Sequence, residues 1–254
     1  MMGLSPATWI VLGLAAIFIG VSKTALPGLA TLSVALFAAM LPAKESTAVM
    51  LILLMVGDVV AIWIFRHAAD WGTLRRLIPP VVVGVICGAV FLHLANDLLM
   101  RRTIGWILLA LTGLTLYLRH RRIRSRDHQR RHPPLFRAPV VARIGYGSLG
   151  GFTTMAANAG GPVMSLYFLW SRLPVVTFLG TTAWFFFLVN IIKLPFSATI
   201  GLIGVATLKL GGVLAPLVLI GALAGRRIIS HLTQDTFEPL VIILTVISSA
   251  YLVC

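Results

Sequence analysis

Long apolar runs alternate with short polar stretches along the whole chain. A helix needs about 20 consecutive apolar residues to cross the hydrocarbon core of a bilayer, and most of these runs approach that length. The runs lie at residues 6–21, 29–41, 46–65, 77–95, 103–118, 139–157, 162–170, 176–196, 207–225 and 237–253. The pattern predicts an all-α, polytopic membrane protein whose surroundings are the lipid bilayer.

Composition supports this prediction. Of the 254 residues, 59% are hydrophobic and 11% are charged, whereas soluble domains carry about 25% charged residues. The net charge is +14, and in a soluble protein such an excess would suggest binding to nucleic acid. Much of the excess stands between the apolar runs, where Lys and Arg set the orientation of a membrane protein. We therefore expect no nucleic acid partner.

The most basic stretch divides the chain in two. Residues 120–138 form an arginine-rich linker between a first transmembrane repeat, residues 1–119, and a second, residues 139–254. The positive-inside rule places this linker in the cytoplasm. Because each half carries five apolar runs, an odd number, both termini are then expected on the outer side.

The two halves also share a spacing of glycine, proline and polar residues. One shift of 132 positions (174 minus 42) relates the first three pairs, and after an insertion a shift of 137 (216 minus 79) relates the others. The pairs are Pro42 and Pro174, Gly28 and Gly160, Asp58 and Asn190, then Pro79 and Pro216, Gly84 and Gly221, and Gly88 and Gly225. Since the second half would enter from the opposite face, the sequence predicts two inverted repeats, an architecture of secondary transporters.

Two further features of the halves carry structural expectations. The runs at 29–41 and 162–170 are short for a crossing, so each half is expected to contain broken or re-entrant helices. The sequence alone leaves open whether they cross or re-enter. The glycine pairs spaced four apart, Gly84 with Gly88 and Gly221 with Gly225, favour close packing between helices over contact with a ligand.

The break between the first two runs is the first candidate site. A charge within the membrane is costly, and helix N-termini attract anions through their free N–H groups. The sequence therefore predicts an anion site here, made by a cation, two hydroxyls and a helix start. The alternative is that the lysine extends to the headgroups. The residues are Ser22, Lys23, Thr24, Pro27 and Gly28.

A second break, at corresponding positions of the other half, completes the predicted site. Proline suits the first turn of a helix, and glycine allows the backbone to approach a ligand closely. Two such N-termini facing each other would surround a small oxyanion, although glycines also serve helix packing alone. The residues are Thr153, Thr154, Asn158, Gly160, Gly161 and Pro162.

Asp58 is the one acidic residue deep within an apolar run. It is a candidate to hydrogen-bond Lys23, to hold a proton that is coupled to transport, or to cap a broken helix. Its repeat mate Asn190 has the same shape without the charge. Lys193 follows one turn later on the same helical face, and we assign Asn190 and Lys193 to the substrate site.

These residues resemble the TauE/SafE family of sulfite exporters and related transporters of small sulfur-containing anions, and the resemblance covers nearly the whole chain. The resemblance implies two homologous halves, no bound cofactor, and passage of sulfite, sulfoacetate, thiosulfate or similar organosulfonates across the inner membrane of prokaryotes. It is carried by Ser22-Lys23 with Pro27-Gly28, Asp58 with the region of Arg66 and Trp71, Ala159-Gly160-Gly161-Pro162 with Tyr167, Gly180-Thr181, and Asn190 with Lys193.

The expected function is a secondary transporter of small sulfur-containing anions that works by alternating access around a midplane site. Export is favoured by the resemblance alone. A passive anion channel and an uptake transporter for an unrelated small anion stay open as alternatives. No enzyme activity is expected, because neither a nucleophile motif nor paired carboxylates lie at depth. No metal site is expected either, and the sequence leaves open whether the chain forms a homodimer.

Overall fold

The computed structural model describes residues 4–25, 29–125, 140–170 and 175–228. Within these ranges the regular structure is entirely helical, which confirms the all-α prediction. The helices are α1 (Pro6–Thr24), α2 (Leu29–Met40), α3 (Ala43–Phe65), α4 (Trp71–Leu94), α5 (Asp97–Ser125), α6 (Val140–Ala157), α7 (Gly160–Trp170), α8 (Val175–Thr199) and α9 (Val205–Ile228).

Five of the described helices, α1, α3, α4, α8 and α9, are long and apolar enough to cross a membrane. The chain is therefore a multi-pass membrane protein. The short helices expected in each half are α2, with 12 residues, and α7, with 11 residues. At 1.5 Å per residue they are about 18 Å and about 16 Å long, well below a hydrocarbon core of about 30 Å.

The predicted start of the linker differs from the structure, and other predicted segments lie outside the described residues. Helix α5 continues to Ser125, so residues 120–125, which begin the predicted linker, are helical. The remaining linker residues and the tenth apolar run, 237–253, lie outside the described residues.

Local sequence explains where two helices begin. The Ser5 hydroxyl accepts a hydrogen bond from the Thr8 N–H at the start of α1, and Pro6 occupies the first turn. Asp70 caps α4, and its carboxylate accepts from the N–H groups of Gly72 and Thr73. The Thr73 hydroxyl also donates to Asp70, and this bond holds the pKa of the Asp70 carboxyl below its ordinary value. Such caps satisfy backbone donors that a helix start leaves free.

The most extensive helix contacts are those of α1 with α9 and of α4 with α6. Glycines bring these helices into backbone contact. A Cβ on Gly20 would overlap the Val218 carbonyl, and one on Gly221 would overlap the Ile17 carbonyl. The glycines spaced four apart on α4 and α9 thus lie at tight helix contacts, in agreement with the packing role predicted for them.

The α4–α6 contact repeats the α1–α9 contact in detail. A Cβ on Gly84 would overlap the Ser148 carbonyl, and one on Gly151 would overlap the Val81 carbonyl. These residues correspond to those of the α1–α9 contact by shifts of 131 (151 minus 20 and 148 minus 17) and 137 (221 minus 84 and 218 minus 81). The correspondence supports the predicted repeat. In each contact one half of the chain supplies one helix and the other half supplies its partner.

Candidate functional site

A buried cavity lies where α1, α2, α3, α6, α7 and α8 meet. Its volume is about 50 Å³, enough for a few water molecules or a small anion. Its lining contains both polar and apolar side chains. The lining residues are Ser22, Lys23, Ala30, Leu54, Asp58, Thr154, Asn158, Gly161, Leu179, Thr182, Ala183, Phe186 and Asn190.

An ion pair between Lys23 and Asp58 lies in the wall of this cavity. The Lys23 Nζ donates to Asp58 Oδ1 at 2.5 Å, and the Asp58 side chain is completely buried. Lys23 reaches Asp58 across Gly57, where a Cβ would stand 2.9 Å from the Lys23 Cγ. The lysine nitrogen also lies 4.9 Å from the centre of the Phe186 ring, a cation–π distance. Lys23 is therefore held inside the protein by Asp58 and Phe186.

Polar contacts continue from Asp58 to a second lysine. Asn190 Nδ2 donates to Asp58 Oδ2 at 2.7 Å. Lys193 Nζ donates to Asn158 Oδ1 at 2.5 Å and lies 3.4 Å from Asn190 Oδ1. Asn158 Nδ2 in turn donates to the Thr47 carbonyl at 2.9 Å. A single polar cluster therefore links α1, α3, α8 and the break between α6 and α7.

The break at Asn158 has an unusual backbone. Its φ is 51°, in the left-handed region that non-glycine residues seldom adopt and that asparagine tolerates better than most. The Asn158 and Ala159 N–H groups fold back onto the carbonyls of Thr154 and Thr153. This geometry ends α6, directs the Asn158 amide to Lys193, and lets α7 begin at Gly160.

Two helix starts border the cavity. Gly161 is the second residue of α7 and Ala30 the second residue of α2, and both line the cavity wall. The first turn of a helix carries N–H groups without a partner in the helix, and its dipole favours negative charge. Together with Lys23, these helix starts make the cavity attractive to a small anion.

Comparison with protein families decides the relationship of this chain. The sulfite exporter TauE/SafE family matches residues 12–252, nearly the whole chain. The chain belongs to the TauE/SafE family. Comparison with curated proteins found no match, and comparison with solved structures found none. Membership confirms the predicted resemblance and makes the chain an exporter-type membrane protein whose family handles sulfite and related organosulfur anions.

Seven residues predicted for the TauE/SafE site meet at the cavity: Ser22, Lys23, Asp58, Thr154, Asn158, Gly161 and Asn190. Lys193 is buried behind them and reaches the cavity lining through Asn158. Gly160 and Pro162 flank Gly161 without being part of the lining. Pro27 and Gly28 lie outside the described residues.

Two predicted hydroxyls are used by the protein backbone and do not line the cavity. Thr24 Oγ1 donates to the Ala222 carbonyl of α9 at 2.9 Å. Thr153 Oγ1 donates to the Leu149 carbonyl of its own helix at 2.8 Å. The first bond joins α1 to α9, and the second lies within α6.

Most of the α8 residues that line the cavity were not among the residues predicted for the site. Leu179, Thr182, Ala183, Phe186 and Asn190 follow one another at helical spacing and form one face of α8. Lys193 continues the same spacing. The helical spacing could have identified these residues, because Asn190 and Lys193, which were already assigned to the site, lie at the end of the same face of α8.

Proposed function

We propose that this TauE/SafE chain is a secondary transporter that moves small sulfur-containing anions, such as sulfite or sulfoacetate, out of a prokaryotic cell across its inner membrane. The observation that carries the proposal is the buried cavity in which Lys23 and two helix starts converge. Family membership supports the sulfur anion as substrate and export as direction. The basic linker is then cytoplasmic, with both termini outside, by the positive-inside rule.

The charge of the polar cluster favours a monoanion. The cluster contains two lysines, Lys23 and Lys193, and one carboxylate, Asp58. With all three groups ionised, one positive charge lacks a counter-charge in a region of low dielectric. Such a charge is costly in the membrane, and a bound monoanion neutralises it. Hydrogen sulfite or a monosulfonate meets this requirement, and a dianion such as sulfoacetate or thiosulfate meets it if Asp58 takes up a proton.

Asp58 provides a competitor for the anion. Lys23 is bound to Asp58 in the described structure, so an arriving anion must share Lys23 or displace the carboxylate. A displaced carboxylate either remains ionised or takes up a proton. In the first case transport carries one net negative charge, and in the second the anion and the proton cross together without net charge. Proton coupling through Asp58 therefore has a measurable electrical signature.

In alternating access, the two helix pairs that are joined by glycine contacts would act as rigid bodies. The α1–α9 and α4–α6 pairs are in backbone contact, so each pair would move as one body. The cavity residues come from both pairs and from α2, α3, α7 and α8. Rocking of one pair against the other would open the cavity to alternate sides of the membrane.

Flux through reconstituted liposomes tests the proposal. Sulfite, sulfoacetate and thiosulfate should move with saturating kinetics, whereas the zwitterion taurine should move poorly. A membrane potential should drive the flux of an anion alone, and a pH gradient should drive the flux of an anion with a proton. Single-channel conductance would instead indicate a passive channel. The substrate assignment fails if none of these anions moves while an unrelated small anion does.

A further inference from the structure

The Thr182 hydroxyl lies in the cavity wall without a hydrogen-bond partner. In the part of the chain that the structure describes, two buried side-chain oxygens are in this condition, Thr182 Oγ1 and Ser165 Oγ. Thr182 belongs to the cavity lining and Ser165 does not. A buried hydroxyl without a partner is destabilising, and a native protein retains few of them.

Other hydroxyls near the site behave differently. Threonine and serine within helices usually donate to a carbonyl one turn earlier. Ser22 donates in this way to Ile19 at 2.7 Å, and Thr47 to Ala43 at 3.0 Å. The neighbour of Thr182, Thr181, accepts a hydrogen bond from the Asp70 N–H. Thr182 has neither kind of bond, so its O–H has no acceptor within the described protein.

Lys23 retains donors as well. An ammonium group has three N–H donors, and Asp58 accepts from one of them. The Ser22 hydroxyl is already donating to Ile19, which makes it a weaker competitor for the role. Within the described lining, Thr182 Oγ1 is the fully buried side-chain oxygen without a partner, and Thr182 lines the same cavity as Lys23.

We propose that Thr182 is a substrate-binding residue that donates its hydroxyl to an oxygen of the bound anion while Lys23 neutralises the charge. This inference rests on the proposed function, because it takes the cavity to be the anion site. It also specifies the ligand: two separate donors favour an oxyanion, which presents several oxygens, over a monatomic anion of the same charge. Binding would satisfy the Thr182 hydroxyl, which the described protein leaves buried and unbonded.

Three variants test the assignment. Thr182→Val keeps the shape and removes the hydroxyl, Thr182→Ser keeps the hydroxyl, and Ser165→Ala removes the other unpartnered hydroxyl as a matched control. Binding of sulfite, sulfoacetate, nitrate, phosphate and chloride would be measured on the purified full chain from the shift of its thermal unfolding midpoint. Without anion, Thr182→Val should be at least as stable as the wild type, because an unsatisfied buried hydroxyl is gone.

The expected result is a loss confined to oxyanion binding. Thr182→Val should weaken binding of the preferred oxyanion about tenfold or more, as loss of a hydrogen bond to a charged group does. Thr182→Ser and Ser165→Ala should bind it like the wild type, and chloride binding should not respond to Thr182→Val. Unchanged oxyanion binding by Thr182→Val would show that the hydroxyl does not contact the anion, and an equal loss in Ser165→Ala would show an indirect effect. Either result overturns the inference.

The panel separates this inference from the proposed function. If the wild type binds only nitrate or phosphate, the assignment of a sulfur-containing substrate is wrong. The role of Thr182 is then tested by the effect of Thr182→Val on binding of nitrate or phosphate. If the wild type binds none of the panel, both the anion site and the role of Thr182 are refuted. Sulfite binding that is insensitive to Thr182→Val removes Thr182 alone.

Discussion

Replacing Asp58 with Asn perturbs the candidate site at its ion pair. The amide keeps the size of the carboxylate, but Lys23 loses the group that it contacts at 2.5 Å. The polar cluster then contains Lys23 and Lys193 without a carboxylate. We expect two opposite effects. The unliganded variant should be less stable, and an anion should bind it more tightly because Asp58 no longer competes for Lys23.

The burial of the pair sets the size of the effect. The Asp58 side chain is 0% exposed and that of Lys23 is 10% exposed, so water screens their interaction little. Removing one partner of a buried ion pair costs about 3–5 kcal/mol. For a chain of this size the loss corresponds to a fall of at least about 6 °C in the unfolding midpoint. An anion at 100 times its Kd adds back about 2.7 kcal/mol, so it should restore much of the loss.

The assay is a series of unfolding midpoints in detergent at increasing concentrations of sulfite or sulfoacetate. Lys23→Ala should be destabilised like Asp58→Asn, but anion should not restore it. The double variant Lys23→Ala/Asp58→Asn should be more stable than Lys23→Ala, because no buried carboxylate is left unpaired at this pair. A stabilising role of the Lys23–Asp58 pair is refuted if Asp58→Asn is as stable as the wild type without anion. Competition between Asp58 and the anion is refuted if anion stabilises Asp58→Asn less than it stabilises the wild type.

Three further predictions concern the frame of the site. Gly221→Ala should lower the unfolding midpoint by the equivalent of about 1–3 kcal/mol, because the added methyl overlaps the Ile17 carbonyl. Gly212→Ala on the same helix is the control and should not lower the midpoint, because its methyl meets open space. Asp70→Ala should cost about 1 kcal/mol of stability by loss of the α4 cap. The pKa of Asp70 is lowered in the folded protein. The stability difference between the wild type and Asp70→Ala should therefore have its full size above the ordinary pKa of Asp and disappear as the pH falls through the pKa of the folded protein. Asn158→Gly should abolish anion flux and lower the midpoint, because buried Lys193 loses its acceptor, and Asn158→Ala should lower the midpoint further, since its φ of 51° strains alanine. Equal midpoints for the paired variants, or a pH-independent Asp70 effect, would contradict these expectations.

The helices were predictable from the sequence because a bilayer permits few other structures. Apolar runs mark where the chain lies in hydrocarbon, and each backbone group there must be bonded within a helix. The helix ends were less predictable where a helix leaves the membrane. Helix α5 runs from Asp97 to Ser125, well beyond the apolar run at 103–118, because a helix continues through polar residues in water and headgroups. The apolar pattern measures the hydrocarbon layer and not the helix.

The charged part of the site was predictable for a different reason. Lys23, Asp58 and Lys193 are conspicuous because charge within apolar runs is rare and seldom without function. Thr182 gave no such signal. A threonine in a helix ordinarily bonds its own backbone, as Thr153 does. Only the packing of α8 shows that Thr182 lines the cavity and that its hydroxyl is unbonded.

The contact between Asp58 and Asn190 explains why the two halves differ at this position. These residues are repeat mates, 132 positions apart, and their side chains meet at 2.7 Å. In the proposed repeat, this is a place where a position meets its own counterpart. Two aspartates there would set like charges against each other in a buried site, and one would have to be protonated. Asparagine instead supplies an N–H donor of the same shape. In the proposed anion site, the single carboxylate of Asp58 therefore belongs to one polar cluster with two lysines, and with both lysines charged one positive charge is left for the anion.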